Sequence, residues 1–552
     1  MQILILGGYG VFGGRLAGLL ADEPALELVI AGRDLVRATA FCKAWRGEAV
    51  VRPLQLDRAD IAAGLVVERP DLVVDASGPF QQYGAEAYRV VEACLAAQVP
   101  YLDFADGTDF VSGISRFDEA AKAAGVFVLS GVSSFPVLTA AVLRKMAETM
   151  EVVSVAGGIA PSPHAGIGLN VMRAVVSYAG GPVKLLRNGE PAVARGLAES
   201  MRFTIAVPGR LPLNNIHFSL VDVPDLRVIP PEHPTLRDIW MGAGPVPESL
   251  HRVLNGLAWA RATFRLPSLV PLSRLFYRML NLMRFGEHRG GMFVRARGTR
   301  DGELVEASWH LLAEGDDGPY IPSMAIEAIV RRCLAGEPPA PGARPATRAL
   351  ELSDYDALFA DKTIYTGFRR ADAAAAPVFR KVLGSAFDAL PRTLRELHGT
   401  SVERRWKGIA QVRSGRGVIA RLVGALVGFP RAADEVPLCV TLAPHGEGER
   451  WTRDFAGRTF SSVLRAGTGK NEYLLLERFG IVEIALALVV EAGRLYLVPR
   501  RWSCLGVRLP GALLPVGTSF ECEREGRFAF DVEIGAPLVG LIAAYRGTLE
   551  PD

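Results

Sequence analysis

Residues 1–15 read MQILILGGYGVFGGR, and this stretch decides the fold. Residues 1–6 are a short apolar run rich in Ile and Leu, which suits a strand buried on both faces. Gly8-Tyr9-Gly10-Val11-Phe12-Gly13 then places glycine at the three positions of a dinucleotide-binding fingerprint, and residues 11–22 continue with apolar residues at helical spacing. A chain with 58 glycines produces such triplets by chance, so the weight lies on context: this one follows a strand pattern and opens a helix. Gly8 is expected to make the tight turn, Gly10 to let the backbone approach a pyrophosphate, and Gly13 to let the helix sit close to the strand. The pyrophosphate would rest on the helix N-terminus, where unpaired N–H groups and the macrodipole favour an anion. Gly7, Gly8, Tyr9, Gly10, Val11, Phe12 and Gly13 are therefore candidate cofactor-binding residues.

The next strand pattern, ELVIAGRD at 27–34, ends where NAD-binding folds set an acidic residue against the ribose 2′-hydroxyl. Gly32 stands there instead and Arg33 follows. A missing carboxylate and an added guanidinium suit a 2′-phosphate, which arginine grips with two parallel hydrogen bonds, so NADP is expected rather than NAD. Should the strand end one or two residues later, Asp34 is placed to hold a ribose.

At 552 residues the chain exceeds a single core, and the near balance of 62 Lys and Arg against 59 Asp and Glu argues against a nucleic-acid partner. The six cysteines, Cys42, Cys94, Cys333, Cys439, Cys504 and Cys522, include no CxxC pair, as expected of a reduced cytoplasmic protein without a disulfide framework or metal site. The first strand occupies the start of the sequence, so no signal peptide is expected, and no apolar run reaches the length of a transmembrane helix. A mean hydropathy of +0.21 is high, which implies large cores or apolar surface that meets a lipid or a partner.

Strand and helix patterns alternate after Asp34: helices at 35–45, 85–97 and 115–124, and strands at 49–56, 71–76, 101–104 and 126–130. This alternation implies βαβ units and a parallel sheet, with ligands beyond the carboxyl ends of its strands. The segments 77–80, 103–106 and 130–135 should then rim the cofactor site, with Ser77, Gly78 and Pro79 beside the ribose or nicotinamide and Asp57 on the adenine side.

GGYGVFGGR, VVDASGPF, YLDFADG, SYAGGPV, EHRGGM and SWHLLAEGDDGPYIPSMA occur in that order over roughly residues 1–365. Together they resemble the saccharopine dehydrogenase-like NADP-binding oxidoreductases. The resemblance implies a Rossmann domain, a second α/β domain carrying the substrate cleft, and a reduced nicotinamide cofactor; it leaves the substrate open among amino acids, polyamines and lipid-linked acyl chains.

Residues 150–325 would form that second domain, with strands at 152–159, 292–297 and 307–313 and a helix at 168–178. Its polar residues include His164, Asn170, Arg173, Tyr178, Lys184, His217 and His288. Proton transfer needs a positioned acid, for which a His, Tyr or Lys of this set could serve; no catalytic residue is assigned, and the candidates are Tyr178 together with Asp103 and Asp106, which are placed for polar roles near the reacting carbon. Between Glu248 and Glu287 there is no acidic residue, while Arg252, Arg261, Arg265, Arg274, Arg278 and Arg284 punctuate an apolar stretch. On helices, Arg261/Arg265 and Arg274/Arg278 would each share one face. The stretch 249–286 reads either as a membrane-surface helix pair or as helices packed on the domain or on a second subunit, as in a homodimer.

A helix at 324–334 is expected to return to the Rossmann domain, followed by a proline-rich linker at 336–345 and a further boundary near 371–377. Beyond it, a helix at 378–397 precedes strand patterns at 436–442, 450–455, 472–479, 481–491, 494–499, 518–524, 527–534 and 541–549, joined by glycine-rich turns. This part resembles an uncharacterised bacterial domain often fused behind saccharopine dehydrogenase-like proteins. Trp451, Arg453, Phe455, Glu477 and Arg478 fit its pattern and read as core and cross-strand pairs; an apolar cavity for a hydrophobic ligand is a further expectation.

The expected architecture is thus α/β: a Rossmann domain at 1–135 with a parallel sheet, a second α/β (α+β) substrate domain at 136–325, a return helix and linker at 326–371, and a mainly antiparallel β (α+β) domain at 372–552. The expected function is an NADP-dependent oxidoreductase that moves a hydride to or from a small-molecule or acyl substrate, an imine or amino acid in one version and an enoyl or keto group in the other. The alternative is a non-catalytic dinucleotide- or lipid-binding scaffold whose C-terminal domain carries the function. A cytoplasmic location, peripheral to the inner face of the membrane, accompanies the first reading.

Overall fold

The computed structural model describes residues 1–552 except 167, 246–247, 283–285, 371–375, 400–401 and 538, and the side chains of 426 and 427. β1 (Gln2–Leu6) is the hub of a parallel sheet: it pairs with β2 (Glu27–Gly32) on one side and with β4 (Leu72–Asp75) on the other. Ile3, Leu4 and Ile5 are fully buried, as a central strand covered on both faces requires. With β3 (Val50–Gln55), β5 (Tyr101–Asp103) and β6 (Phe127–Ser130), the order runs β6-β5-β4-β1-β2-β3. The direction of winding reverses between β1 and β4, which opens a crevice at their carboxyl ends. α1 (Val11–Leu19) and α2 (Leu35–Lys43) follow β1 and β2.

The stretch 336–345, expected as a linker, ends instead in a strand. Gly342–Pro345 adds parallel to β6 at the edge of this sheet. Pro345 is tolerated there because an edge strand leaves one side of its backbone unpaired.

A mixed sheet follows. Glu151–Ala160 lies parallel to Asp238–Ala243 and antiparallel to Arg289–Arg300, which pairs in turn with Glu303–Glu314. Beside it, α3 (Leu169–Tyr178), α4 (Glu248–Phe264) and α5 (Ser273–Leu282) share a core of Met172, Val176, Leu254, Ala258 and Phe276. α6 (Ile321–Leu334) returns to α1, where Arg331 donates to Leu19 O at 3.0 Å and pairs with Asp22 at 2.8 Å.

The arginine pattern of 249–286 is corrected in part. Arg261 turns inward and donates to Ser177 O and Ala179 O, while Arg265 lies past the end of α4 with φ +53°, so these two do not share a helix face. Arg274 and Arg278 lie four apart on α5, as expected of a shared helix face, and both are exposed, while Arg284 lies outside the described residues.

The chain divides into two compact units, Met1–Arg202 with His217–Tyr365, and Phe203–Ile216 with Thr366–Asp552. Within the second, an eleven-stranded antiparallel sheet closes on itself where Val482–Glu491 pairs with Arg494–Cys504, making a barrel. Three of its strands, Arg404–Ser414, Arg458–Ala466 and the short Val507–Arg508, were not expected. The single helix expected at 378–397 is broken into Val378–Leu383 and Arg392–His398, because Gly384 takes φ +61° and Pro391 opens the second piece. The interior, expected as an apolar cavity, is filled by Trp406, Trp451, Phe455, Phe460, Phe528 and Tyr545. Arg453 and Glu477 meet there at 3.2 Å, with the Ser462 hydroxyl donating to Glu477 at 2.7 Å, whereas Arg478 is exposed. Residues 371–375 of the expected boundary lie outside the described residues. Among the described residues no helix is long and apolar enough to cross a membrane.

Candidate functional site

The site begins where β1 ends. Gly7 has φ +74°, and a Cβ there would lie 2.7 Å from Ala76 O, so Gly7 rather than Gly8 makes the left-handed turn. Gly8 is needed for a different reason: its Cβ would meet Ile5 O at 2.9 Å and Ile30 Cα at 3.1 Å. Gly10 is the N-cap of α1, and Gly13 brings the helix so close that a Cβ would lie 2.6 Å from Gly7 O. The first turn of α1, whose N–H groups have no partner inside the helix, faces a cleft of about 990 Å³.

At one end of the cleft, beside β2, lie Tyr9, Gly32, Arg33 and Arg37. The Tyr9 ring packs on Gly32, where a Cβ would come within 2.5 Å of it; this contact explains a glycine at the end of β2. The Tyr9 hydroxyl accepts the Asp34 N–H at 3.1 Å, and the Arg37 guanidinium lies 5.0 Å from the ring centroid. Asp34 itself caps α2, accepting the Arg37 N–H at 3.1 Å, and does not line the cleft. Asp57 does line it, with its carboxylate accepting the Ala59 N–H at 3.0 Å.

Ser77, Gly78 and Pro79 form the floor after β4. The buried Asp75 carboxylate accepts the Ser77 N–H at 2.9 Å and the Ser77 hydroxyl at 2.5 Å; the latter is 2.9 Å from the Tyr83 hydroxyl. Arg58 covers the Tyr83 ring at 3.5 Å. Burial raises the pKa of Asp75 and pushes Tyr83 well above the ordinary phenol range. The opposite wall comes from α3 and α5 through Gly168, Leu169, Asn170, Val171 and Tyr277, and Asn170 Nδ2 donates to Gly78 O at 2.8 Å. Phe12 and Phe104 stack at 5.6 Å along the same cleft.

The three acid candidates separate. Asp106 lines the cleft, accepts from Gln81 Nε2 at 2.9 Å, and has its pKa raised by burial. Asp103 lies behind it, fully buried: its Oδ1 accepts the N–H groups of Ala105 at 2.9 Å and Gly131 at 2.7 Å, and burial pushes the carboxyl up to about 7. Tyr178 ends α3 within the helical core and does not line the cleft. The His164 and His288 rings pack against each other, tilted by 47° with centroids 4.7 Å apart, away from it, and His217 borders a separate cavity of about 490 Å³ together with Arg202 and Arg252. Neither Arg173 nor Lys184 reaches the cleft. Sequence reading missed Arg37, Arg58 and Tyr83; Arg37 stands four residues past Arg33, one helical turn into α2, and that spacing is the signal available for it.

Residues 3–129 match the family model described as the Saccharopine dehydrogenase NADP binding domain. The N-terminal domain is of that kind. It takes a nicotinamide dinucleotide, and it marks the chain as an oxidoreductase. Residues 390–549 match a Domain of unknown function (DUF4166). Among solved structures, apo saccharopine dehydrogenase (L-Glu forming) from Saccharomyces cerevisiae is 14% identical, with a TM-score of 0.48, over 67% of this chain and 99% of that one. The amine dehydrogenase of Mycobacterium smegmatis is 11% identical over 63% and 95%, with a TM-score of 0.31. The WlbA dehydrogenase of Thermus thermophilus, in complex with NAD and α-ketoglutarate, is 14% identical over 64% and 94%, with a TM-score of 0.30. No curated protein matches.

Proposed function

We propose that the cleft binds NADP(H) and that the protein moves a hydride between this cofactor and an enoyl or keto group on an apolar substrate. The observation that carries the cofactor choice is the end of β2: Gly32 ends the strand, Arg33 and Arg37 line the cleft, and the Asp34 carboxylate is committed to a helix cap. Arg33 and Arg37 would hold the 2′-phosphate, and the first turn of α1, opened by Gly10, would hold the pyrophosphate. Ser77, Gly78 and Pro79 would flank the nicotinamide ribose, kept in place by Asn170 from the opposite wall. When bound, the nicotinamide supplies or accepts the hydride.

Proton handling would fall to groups that line the cleft beside this floor. Asp106, whose pKa is raised by burial, is the candidate proton donor or acceptor, and the Tyr83 hydroxyl is fixed in position by its contact with Ser77, which donates in turn to Asp75. Phe12, Phe80, Phe104 and Tyr277 give the cleft an aromatic lining. With Arg173 and Lys184 elsewhere, these walls fit an enoyl or keto compound better than an amino acid.

Oxidation of NADPH by a panel of enoyl, keto and imine compounds tests the proposal. Turnover with an enoyl or keto member, lost in Gly10→Val, supports it; tightly bound NADPH that no member oxidises would favour the scaffold reading.

A further inference from the structure

α4 and α5 each expose large apolar side chains, and no acidic residue stands between Glu248 and Glu287. In α5, Leu275, Met279 and Leu282 recur at i, i+4 and i+7 and form one stripe, with Leu275 53% and Leu282 82% exposed. Arg274 and Arg278 flank the stripe, both exposed and without an ion pair among the described residues. The opposite side of the same helix is occupied: Phe276 enters the core shared with α3 and α4. On α4, Trp259 and Phe264 are 57% and 65% exposed, and their rings meet edge to face at 5.9 Å. Arg265 follows directly, also exposed and without an ion pair among the described residues. Large apolar side chains held open to water beside unpaired guanidinium groups match the boundary between acyl chains and anionic headgroups. A soluble acidic protein partner would match the arginines but would leave the tryptophan, phenylalanine and leucine side chains with less to gain.

α5 also carries Tyr277, which lines the cofactor cleft. The helix that presents the face therefore forms a wall of the site.

We infer that the outer face of α4 and α5 docks on an anionic bilayer, so that α5 sets the cleft beside the lipid. The docking stands by itself; the corollary that the substrate carries an acyl chain drawn from the bilayer rests on the oxidoreductase reading above.

Co-sedimentation of the full chain with phosphatidylglycerol/phosphatidylcholine vesicles, against phosphatidylcholine alone, tests it. The wild type should bind the anionic vesicles at least tenfold more strongly, and the preference should shrink as salt is added. Arg274→Glu/Arg278→Glu and Leu275→Ser/Leu282→Ser should each reduce binding at least tenfold. Four surface substitutions outside the cleft should leave the NADPH affinity and melting temperature unchanged, which shows that the variants fold and keeps this test separate from that of the cofactor. Wild type that stays in the supernatant, or binding that survives both double substitutions, overturns the inference. So does a concentration-dependent dimer abolished by Leu275→Ser/Leu282→Ser in a protein that ignores vesicles, because a second copy would then cover the face.

Discussion

Asp34 Oδ1 accepts the backbone N–H of Arg37 at 3.1 Å, so the carboxylate two residues past the end of β2 serves as the cap of the helix that presents Arg37. Asp34→Asn keeps the acceptor and should leave nucleotide preference and stability nearly unchanged. Asp34→Ala should cost about 1 kcal/mol of stability by loss of the cap. Isothermal titration with NADPH and NADH, beside urea denaturation, measures both. A preference that collapses in Asp34→Asn would return Asp34 to a ribose-binding role.

The glycines predict a different failure. Gly7→Ala must hold a left-handed backbone and also meet Ala76 O, and Gly13→Ala must push α1 off the loop. Each should cost about 1–3 kcal/mol, as overpacking of a tight contact does. Gly84, with φ +64° and nothing within 4 Å of its would-be Cβ, is the control: Gly84→Asn, a residue that accepts this conformation, should change the melting temperature far less.

Asp103 gives stability a pH dependence of defined sign. Its folded pKa of about 7 lies above the usual carboxylate value, because burial penalises the charge more than the Gly131 and Ala105 N–H groups favour it. Between about pH 4 and 7 the unfolded chain is ionised at this residue while the folded chain keeps the proton, so stability falls as pH rises, by up to about 1.4 kcal/mol per pH unit. Asp225, also pushed up to about 7 by burial, adds the same sign. His251, pulled down to about 4, opposes them up to about pH 6.5. Asp103→Asn, whose Oδ1 can accept the same two N–H groups, should flatten the decline between pH 4 and 7 in urea midpoints. An unchanged slope would contradict the assignment.

The Rossmann half was legible because its signals are local: an apolar run, a glycine loop, a helix, repeated at βαβ spacing. What escaped depends on contacts distant in sequence. Gly342–Pro345 carries no strand pattern of its own and becomes a strand only because β6 offers a free edge. Phe203–Ile216 belongs to the second unit although its neighbours belong to the first, and no composition shift marks the crossing. Arg404–Ser414 is rich in arginine and lysine because alternate side chains face water, which hid the inward Trp406, Ala410 and Val412. Closure of the barrel between Val482–Glu491 and Arg494–Cys504 follows from accumulated sheet twist, which a linear pattern does not display. At the site, the loop glycines and Arg33 could be read from spacing, whereas Tyr83 reaches the cleft through its hydroxyl contact with Ser77, which only the fold reveals.

The barrel interior makes its own prediction. Arg453 and Glu477 are both nearly buried, and Ser462 completes their hydrogen bonds. Glu477→Ala would leave a buried guanidinium unpaired and should lower unfolding free energy by about 3–5 kcal/mol. Arg453→Met/Glu477→Leu, which removes both charges and keeps volume, should cost markedly less. Denaturant midpoints for the single and double variants decide; equal losses would mean that the pair is not coupled.

The most direct measurement is a side-by-side calorimetric titration of the wild type and Arg33→Ala/Arg37→Ala with NADPH and NADH. The account predicts that the wild type binds NADPH at least tenfold more tightly than NADH and that the double variant loses this margin while its NADH affinity holds. NADH bound as tightly as NADPH by the wild type, or a margin untouched by removing both arginines, would contradict it.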